Sequence, residues 1–413
     1  MSKTLYVGID VHTKDNNACF MDEQGNQLLK ISFPNSLDGA QLLEEQLVQV
    51  IKEKDVQKVR IATEATSFLD LHLVDFLASS NKLNQYGIEV YQFNPKLTKG
   101  FKNIYADVDK TDPRDAFGVA DRLRFGRLPQ PYQEHQLYFP LQRLTRYRFH
   151  LTRTIGREKN YFLTHLFLKF SRYQVLKPFS NTFGATSMDL IEEFYSVDEL
   201  ARASLEELTD FLVRHGKNRF SNTEEIVDTL KQVARESYRI RPALANSVNL
   251  ILTCTLQTIR TLQETLKEVD KAIENEFKGF PNTLISVPGL GPVYSAGIFA
   301  EIGDINRFPS EEKLAKFAGL TWRKTKSGNF EAQNTRMTKS GNEFLRYYLV
   351  EGANSLRVHN EEYKTFYQRK YSEVTKYQHK RAVVLTARKL VRLVFSLLKT
   401  NCLYQHMQKE VIS

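Results

Sequence analysis

The sequence predicts an α/β domain at the N-terminal end, followed by a long, mostly α-helical remainder. Two observations predict it. The short apolar runs rich in β-formers fall before Pro95, interleaved with segments of helical period, in the order β-β-β-α-β-α-β-loop-α. Beyond Tyr132 the apolar residues recur mostly at helical steps.

The first strand is Thr4 to Asp10, TLYVGID. Asn17 to Met21 and Leu28 to Phe33 follow as strands, with the turn signal Asp22-Glu23-Gln24-Gly25-Asn26 between them. Three strands joined by tight turns make a meander. A helix is expected from Leu37 to Lys52, with Leu42, Leu43, Leu47, Val50 and Ile51 on one side. Then come a strand, Val59 to Thr63, a helix, Phe68 to Ser79, and a strand, Ile88 to Phe93, closed by Pro95. A helix over Asp112 to Arg124 has Pro113 in its first turn, where no backbone donor is needed. Gly126, Pro129 and Pro131 end the unit.

In the helical remainder, Tyr138 to Phe170 is dense in arginines and aromatics. Leu252, Leu256, Ile259, Leu262, Leu266, Val269 and Ile273 form a stripe at steps of three and four, read as a coiled coil, a helical hairpin or an ordinary bundle helix. From Pro281 the texture changes to a glycine turn, Pro288-Gly289-Leu290-Gly291-Pro292, and helices over Val293 to Ile302 and Ser310 to Ala318. Gly319 to Asn334 reads as a polar loop, and a helical stretch from Asn342 to Leu403 is interrupted near His359 and Tyr371. The expected domains are 1–128, 129–280 and 281–413.

The net charge is +10, and it is localised: from Thr321 onward there are 18 Lys and Arg against 7 Asp and Glu. A basic segment of this kind is the footprint of a nucleic-acid partner, or else a solvated basic face. Three cysteines, Cys19, Cys254 and Cys402, lie far apart with no CxxC pair, which argues against a disulfide framework and a structural zinc site. No apolar run reaches a membrane span and none reads as a signal segment, so a soluble, cytoplasmic protein is expected.

Four carboxylates are the candidate metal ligands of the first domain. Asp10 ends the first strand and Glu64 the fourth, while Asp112 and Asp115 lie three residues apart at a helix start, on one face. Ribonuclease-H-like nucleases converge strand-end and helix carboxylates in this way on a pair of divalent ions. Two Mg²⁺ ions roughly 3.5–4 Å apart hold the attacking and leaving oxygens of a phosphodiester. Mg²⁺ takes hard oxygen ligands, so a few carboxylates suffice. Individually, each acid also fits a turn or a helix cap. Gly8-Ile9-Asp10 with Thr13 also resembles the first phosphate loop of actin-like sugar kinases, but the second glycine-rich phosphate loop they require is missing from the sequence.

Near the C-terminus, Ser327-Gly328 lies among Arg323, Lys324, Lys326 and Arg336. A serine there can offer its hydroxyl to a phosphate, or simply form a turn. Ser340-Gly341 has the same two readings. The Pro288–Pro292 turn is like the hairpin of helix-hairpin-helix DNA binders, and equally like a close-packed turn without ligand.

In combination these segments are recognisable. YVGIDVHTKDN, ATEATSFLDLHL, DVDKTDPRDAFGVADRLRFGRLP and LQRLTRYRFHLTRTIGREKN, with VPGLGPVYSAGIFAEIGDINRFPSEEKLAKFAGL and SGNFEAQNTRMTKSGNEFLRYYLVEGAN, resemble the blocks of the DEDD transposase family. This is the insertion-sequence one-ten family, which includes Piv-type invertases and bridge-RNA-guided recombinases. The resemblance covers roughly the first 170 residues and about 284 to 356. It implies a RuvC-like, ribonuclease-H-like α/β domain, a helical coiled-coil linker and a mostly helical C-terminal transposase domain. It implies that Asp10, Glu64, Asp112 and Asp115 hold Mg²⁺, two ions per site, and that Ser327 attacks DNA to form a phosphoserine intermediate. Ser340 falls where the family has K-x-GN, so the role does not carry to it; Trp322 stands where the family has proline. The implied partners are donor and target double-stranded DNA, a structured noncoding bridge RNA, and further copies of the chain, as a dimer or a synaptic tetramer. The stretch from Phe170 to Asn282 matches poorly and reads as an enlarged linker for protomer pairing or RNA contact. Two other classes fit the same residues: a Holliday-junction-type nuclease using water as nucleophile, and a non-catalytic nucleic-acid-binding relative.

Overall fold

The structure is a computed structural model that describes residues 3–65, 68–102, 112–132, 137–281, 283–322, 326–327, 330–331 and 337–405. The chain divides into two compact units, residues 1–136 and 137–413.

The first unit is built on a five-stranded sheet. Its strands are β1 (Thr4–Asp10), β2 (Asp15–Met21), β3 (Gln27–Pro34), β4 (Lys58–Glu64) and β5 (Ile88–Phe93), in the order β3-β2-β1-β4-β5. The meander β1-β2-β3 is antiparallel, whereas β4 pairs parallel to β1 and β5 parallel to β4. Three antiparallel strands continued by two parallel ones, with helices on both faces, make the ribonuclease-H-like fold expected from the sequence.

Side-chain alternation explains the layers. Leu5, Val7 and Ile9 pack with Val59 and Ile61 under helices α1 (Leu37–Lys54) and α2 (Leu71–Ser79). Ser36 caps α1, accepting from Gly39 N at 3.3 Å. Leu42, expected on the inner side, is exposed. A further helix, α3 (Pro95–Lys102), lies where only the end of a strand was expected. Pro95 both stops β5 and suits a helix start, because its missing N–H is not needed there. The opposite face of the sheet carries α4 (Asp112–Phe125). Its Val119 and Leu123 pack on Ala62, Tyr91 and Phe93, and its Ala116 and Ala120 on Cys19 and Met21.

The second unit is mostly helical. Helices α5 (Phe139–Lys169) and α6 (Pro242–Phe277) pair antiparallel, since Arg148 bonds Asp270 near one end and Lys169 bonds Asn249 toward the other. The expected apolar stripe faces inward from α6, with Leu252, Leu256, Ile259, Val269 and Ile273 buried. Short helices between residues 173 and 236 build a separate core around Phe162, Phe170, Leu208 and Leu230. The C-terminal part consists of α7 (Pro292–Ile302), α8 (Glu311–Phe317), α9 (Glu343–His359), α10 (Glu361–Ser372) and α11 (Gln378–Thr400), packed around Ile298, Tyr348, Leu349 and Leu390. Phe277, Phe280 and Phe299 join the end of α6 to α7. The expected loop 319–334 is corrected: part of it is extended, with β6 (Lys326–Ser327) pairing antiparallel to β7 (Phe330–Glu331).

Candidate active site

Asp10 and Glu64 end neighbouring parallel strands at the same level, because Ile9 pairs with Thr63 one residue earlier. Equal register puts their side chains on one face of the sheet. It is the face of Gly8 and Ala62, which α4 covers. Only a glycine permits this approach: a Cβ at position 8 would stand 2.4 Å from the Ala116 carbonyl oxygen and 2.1 Å from Ala120 N. Asp115 directly precedes Ala116, the residue whose carbonyl meets Gly8. Asp10, Glu64 and Asp115 are all half-buried. Asp112 is the first residue of α4, and its side chain lies outside the described residues.

The strand ends are held from behind. Asp70, fully buried, accepts from Thr63 Oγ1 at 2.9 Å and Gln92 Nε2 at 2.8 Å, tying β4 to β5 beside Glu64. Burial raises the Asp70 carboxyl despite those bonds. At the other end of the same strand pair, Glu89 binds Lys58 at 2.8 Å and Arg60 at 2.9 Å. Burial works against its charge, but Lys58, Tyr91 and Arg60 hold its carboxyl down at about 2. After β1 the chain is fixed by Asn16, which accepts from His12 N at 3.2 Å, and Asn35, which donates to His12 O at 2.8 Å. The His12 ring lies 3.0 Å from Asp10 Oδ2. The sequence does not single out His12, Asn16, Asn35 or Asp70; His12, Asn16 and Asp70 lie near Asp10 or Glu64 in the chain, whereas Asn35 reaches His12 from 23 residues away.

Among the described residues no three His, Cys, Asp or Glu side chains meet closely enough to hold a metal ion. The described donors nonetheless suit one class of ion: Asp10, Glu64 and Asp115 offer only hard oxygens, the ligands of Mg²⁺ and its kind.

Ser327 lies in the second unit. The backbone of β6 pairs Ser327 with Phe330, and outside this pair in the chain Trp322 bridges Met337 and Thr338 N donates to Thr321 O at 2.8 Å, which makes 321–338 an arm closed at its base. The Thr321 and Thr338 hydroxyls lie 3.1 Å apart at its base. The Ser327 side chain and Arg323, Lys324 and Arg336 lie outside the described residues. Ser340-Gly341 sits below the arm and turns the chain: Gly341 has φ +135°, and a Cβ there would stand 2.3 Å from Phe317 O. The Pro288–Pro292 turn is close-packed at Gly289, φ +94°, against the backbone of Leu356 and Ser355 in α9.

Two family models match this chain. One, described as a DEDD-type IS110 transposase, covers residues 7–170; the other, described as the transposase IS116/IS110/IS902 family, covers residues 282–368. The chain belongs to the IS110 family of DEDD transposases. Among relatives, this transposase is 24% identical over 97% of its length, and 96% of the other's, to the "Insertion element IS116 uncharacterized 44.8 kDa protein" of Streptomyces clavuligerus. It is 29% identical to the "Transposase for insertion sequence element IS1111A" of Coxiella burnetii, over 38% of this chain and 43% of that one. A solved structure, T. thermophilus RuvC in complex with a Holliday junction substrate, aligns with 32% of the transposase and 100% of its own chain, at 12% identity and a TM-score of 0.22. Enzymes of the DEDD type use divalent metal ions. Among the described residues, no helix of the transposase is long and apolar enough to cross a membrane. Residues 171–281 fall outside both family models.

Proposed function

We propose that this transposase cuts and rejoins DNA with Mg²⁺ held by Asp10, Glu64, Asp112 and Asp115, and with Ser327 as the nucleophile. The observation that carries the metal half is the equal register of Asp10 and Glu64 on the face covered by the helix that bears both other acids. When bound, the ions neutralise charge that gathers on phosphoryl oxygens as a phosphodiester is displaced. The carboxylates' part is to supply oxygen ligands on rigid strand and helix ends rather than on loops.

The serine half proceeds by transesterification. Ser327 Oγ bonds to phosphorus and loses its proton to solvent, while the phosphorus–oxygen bond of the DNA strand breaks and its oxygen leaves as a hydroxyl. Attack of a second strand's hydroxyl on the phosphoserine restores the diester and returns the serine. One diester is exchanged for another, so rejoining needs no external energy source. The pairing of Ser327 in an arm held at its base supports this reading, as does the basic C-terminal segment, which suits phosphate contacts. The partners in this reading are donor and target DNA, a structured noncoding RNA, for which the exposed Tyr147, Arg153 and Tyr161 of α5 are suited contacts, and further copies of the chain. Mixing Asp10→Ala with Ser327→Ala protomers restores strand joining if each half of the chemistry can come from a different copy.

Trapping tests the mechanism. With Mg²⁺ and a nicked substrate that cannot be rejoined, the wild type accumulates a serine-linked DNA adduct and Ser327→Ala forms none. Cleavage by Ser327→Ala with no adduct in either protein would favour water as nucleophile.

A further inference from the structure

At the foot of the Ser327 arm lies an ionic junction that the metal and serine chemistry leaves unused. The Glu301 side chain, at the last turn of α7, has no solvent exposure. It accepts from Arg146 of α5 through both oxygens, Nε at 2.7 Å and Nη2 at 2.9 Å, and from Asn342 Nδ2 at 2.7 Å. Arg146 also lies over the Phe344 ring, 4.5 Å from its centroid. Asn342 is the pivot. Its Oδ1 caps α9 by accepting from Phe344 N and Leu345 N, each at 3.0 Å, and its own N–H donates to Phe317 O at 2.7 Å. Arg346 Nη1 donates to the neighbouring Ala318 O at 2.9 Å. The chain leaving Phe317 and Ala318 becomes one side of the arm at Thr321, and the chain arriving at Asn342 is the other side, coming from Thr338.

We infer that Glu301 is a positioning residue: through Arg146 and Asn342 it fixes both roots of the Ser327 arm to the α5–α7 framework, and so sets where the serine is presented to DNA. This rests on Ser327 being the nucleophile only for its consequence in catalysis. The physical case is the cost of burying the Glu301 carboxylate, which is offset by a bidentate arginine and one amide. A buried charge satisfied by three donors on two separate elements has one favourable geometry, and both elements are held to it.

Asn342→Ser separates this role from general stability, because a serine hydroxyl still caps α9 while the donor to Glu301 is lost. Hydrogen exchange of the full chain is the readout. Amides in 321–338 are expected to exchange about tenfold faster, the size of one lost charge-assisted hydrogen bond, with α7 and α9 unchanged. DNA binding stays at the wild-type level, and adduct formation slows by a similar factor. If Asn342→Ser does not fold, Glu301→Leu paired with Arg146→Met, which removes both charges and the acceptor for Asn342 together, is read in the same way. Unchanged exchange in 321–338, or acceleration spread through α7 and α9, would overturn the assignment. A Ser327→Ala protein that still cleaves would remove the nucleophile and leave the exchange result to judge Glu301 by itself.

Discussion

Gly8 of β1 lies directly beneath Ala116 of α4, so close that a Cβ on Gly8 would stand 2.4 Å from the Ala116 carbonyl oxygen. That contact sets the distance between the sheet and the helix that carries Asp112 and Asp115. Gly8→Ala has backbone rather than a flexible side chain to displace. It is expected to destabilise the first unit by about 3 kcal/mol or more, the upper range for overpacking. Urea unfolding checks this; a change within error of zero would show that α4 is not held at this crossing.

The serine prediction is selective. Ser327→Ala is expected to lower strand cleavage by about 10³-fold or more, as loss of a nucleophile does. Ser340→Ala retains activity, since that pair turns the chain at Gly341. Gly341→Ala is destabilising, because φ +135° disfavours any side chain and a Cβ would meet Phe317 O at 2.3 Å. Cleavage assays on the two serine variants and thermal melts on the glycine variant decide it.

Much of this was legible in the sequence, for reasons that differ by element. The strands β1 to β5 announced themselves because each alternates or runs apolar between turn residues, and Asp10 and Glu64 were readable as strand ends for the same reason. The helix Pro95–Lys102 was not, because Pro95 signals both a strand's end and a helix's start. The short β6–β7 pairing escaped because two-residue strands have no periodicity to read. Glu301 was invisible because its partners, Arg146 and Asn342, come from distant sequence. Buried ionic contacts made between elements leave no local pattern.

A pH dependence follows from Lys169, buried where α5 meets the short helices, with its Nζ donating to Ile191 O at 2.6 Å and Asn249 Oδ1 at 2.5 Å. Burial lowers its pKa to about 8, with Glu199 and Glu192 opposing. Unfolded, the lysine titrates near its ordinary 10.5. Between those values the unfolded chain binds more protons, so the penalty for burying the charge is complete below pH 8 and is relieved as pH rises toward 10.5. The relief amounts to about 3 kcal/mol at most. Lys169→Met lacks it. Unfolding free energies of both proteins from pH 7 to about 10 test the difference; parallel curves would contradict it.

The most direct test of the central claim is calorimetric titration of the DNA-free protein with Mg²⁺, and with Mn²⁺ as the tighter-binding probe. Asp10 and Glu64, level with each other by strand register, and Asp115 of the helix that covers their face are expected to bind the ion in the wild type. Asp10→Ala, Glu64→Ala and Asp115→Ala should each lose that binding while keeping the wild-type melting profile. Identical binding isotherms for the wild type and all three variants would contradict a shared metal site at these residues.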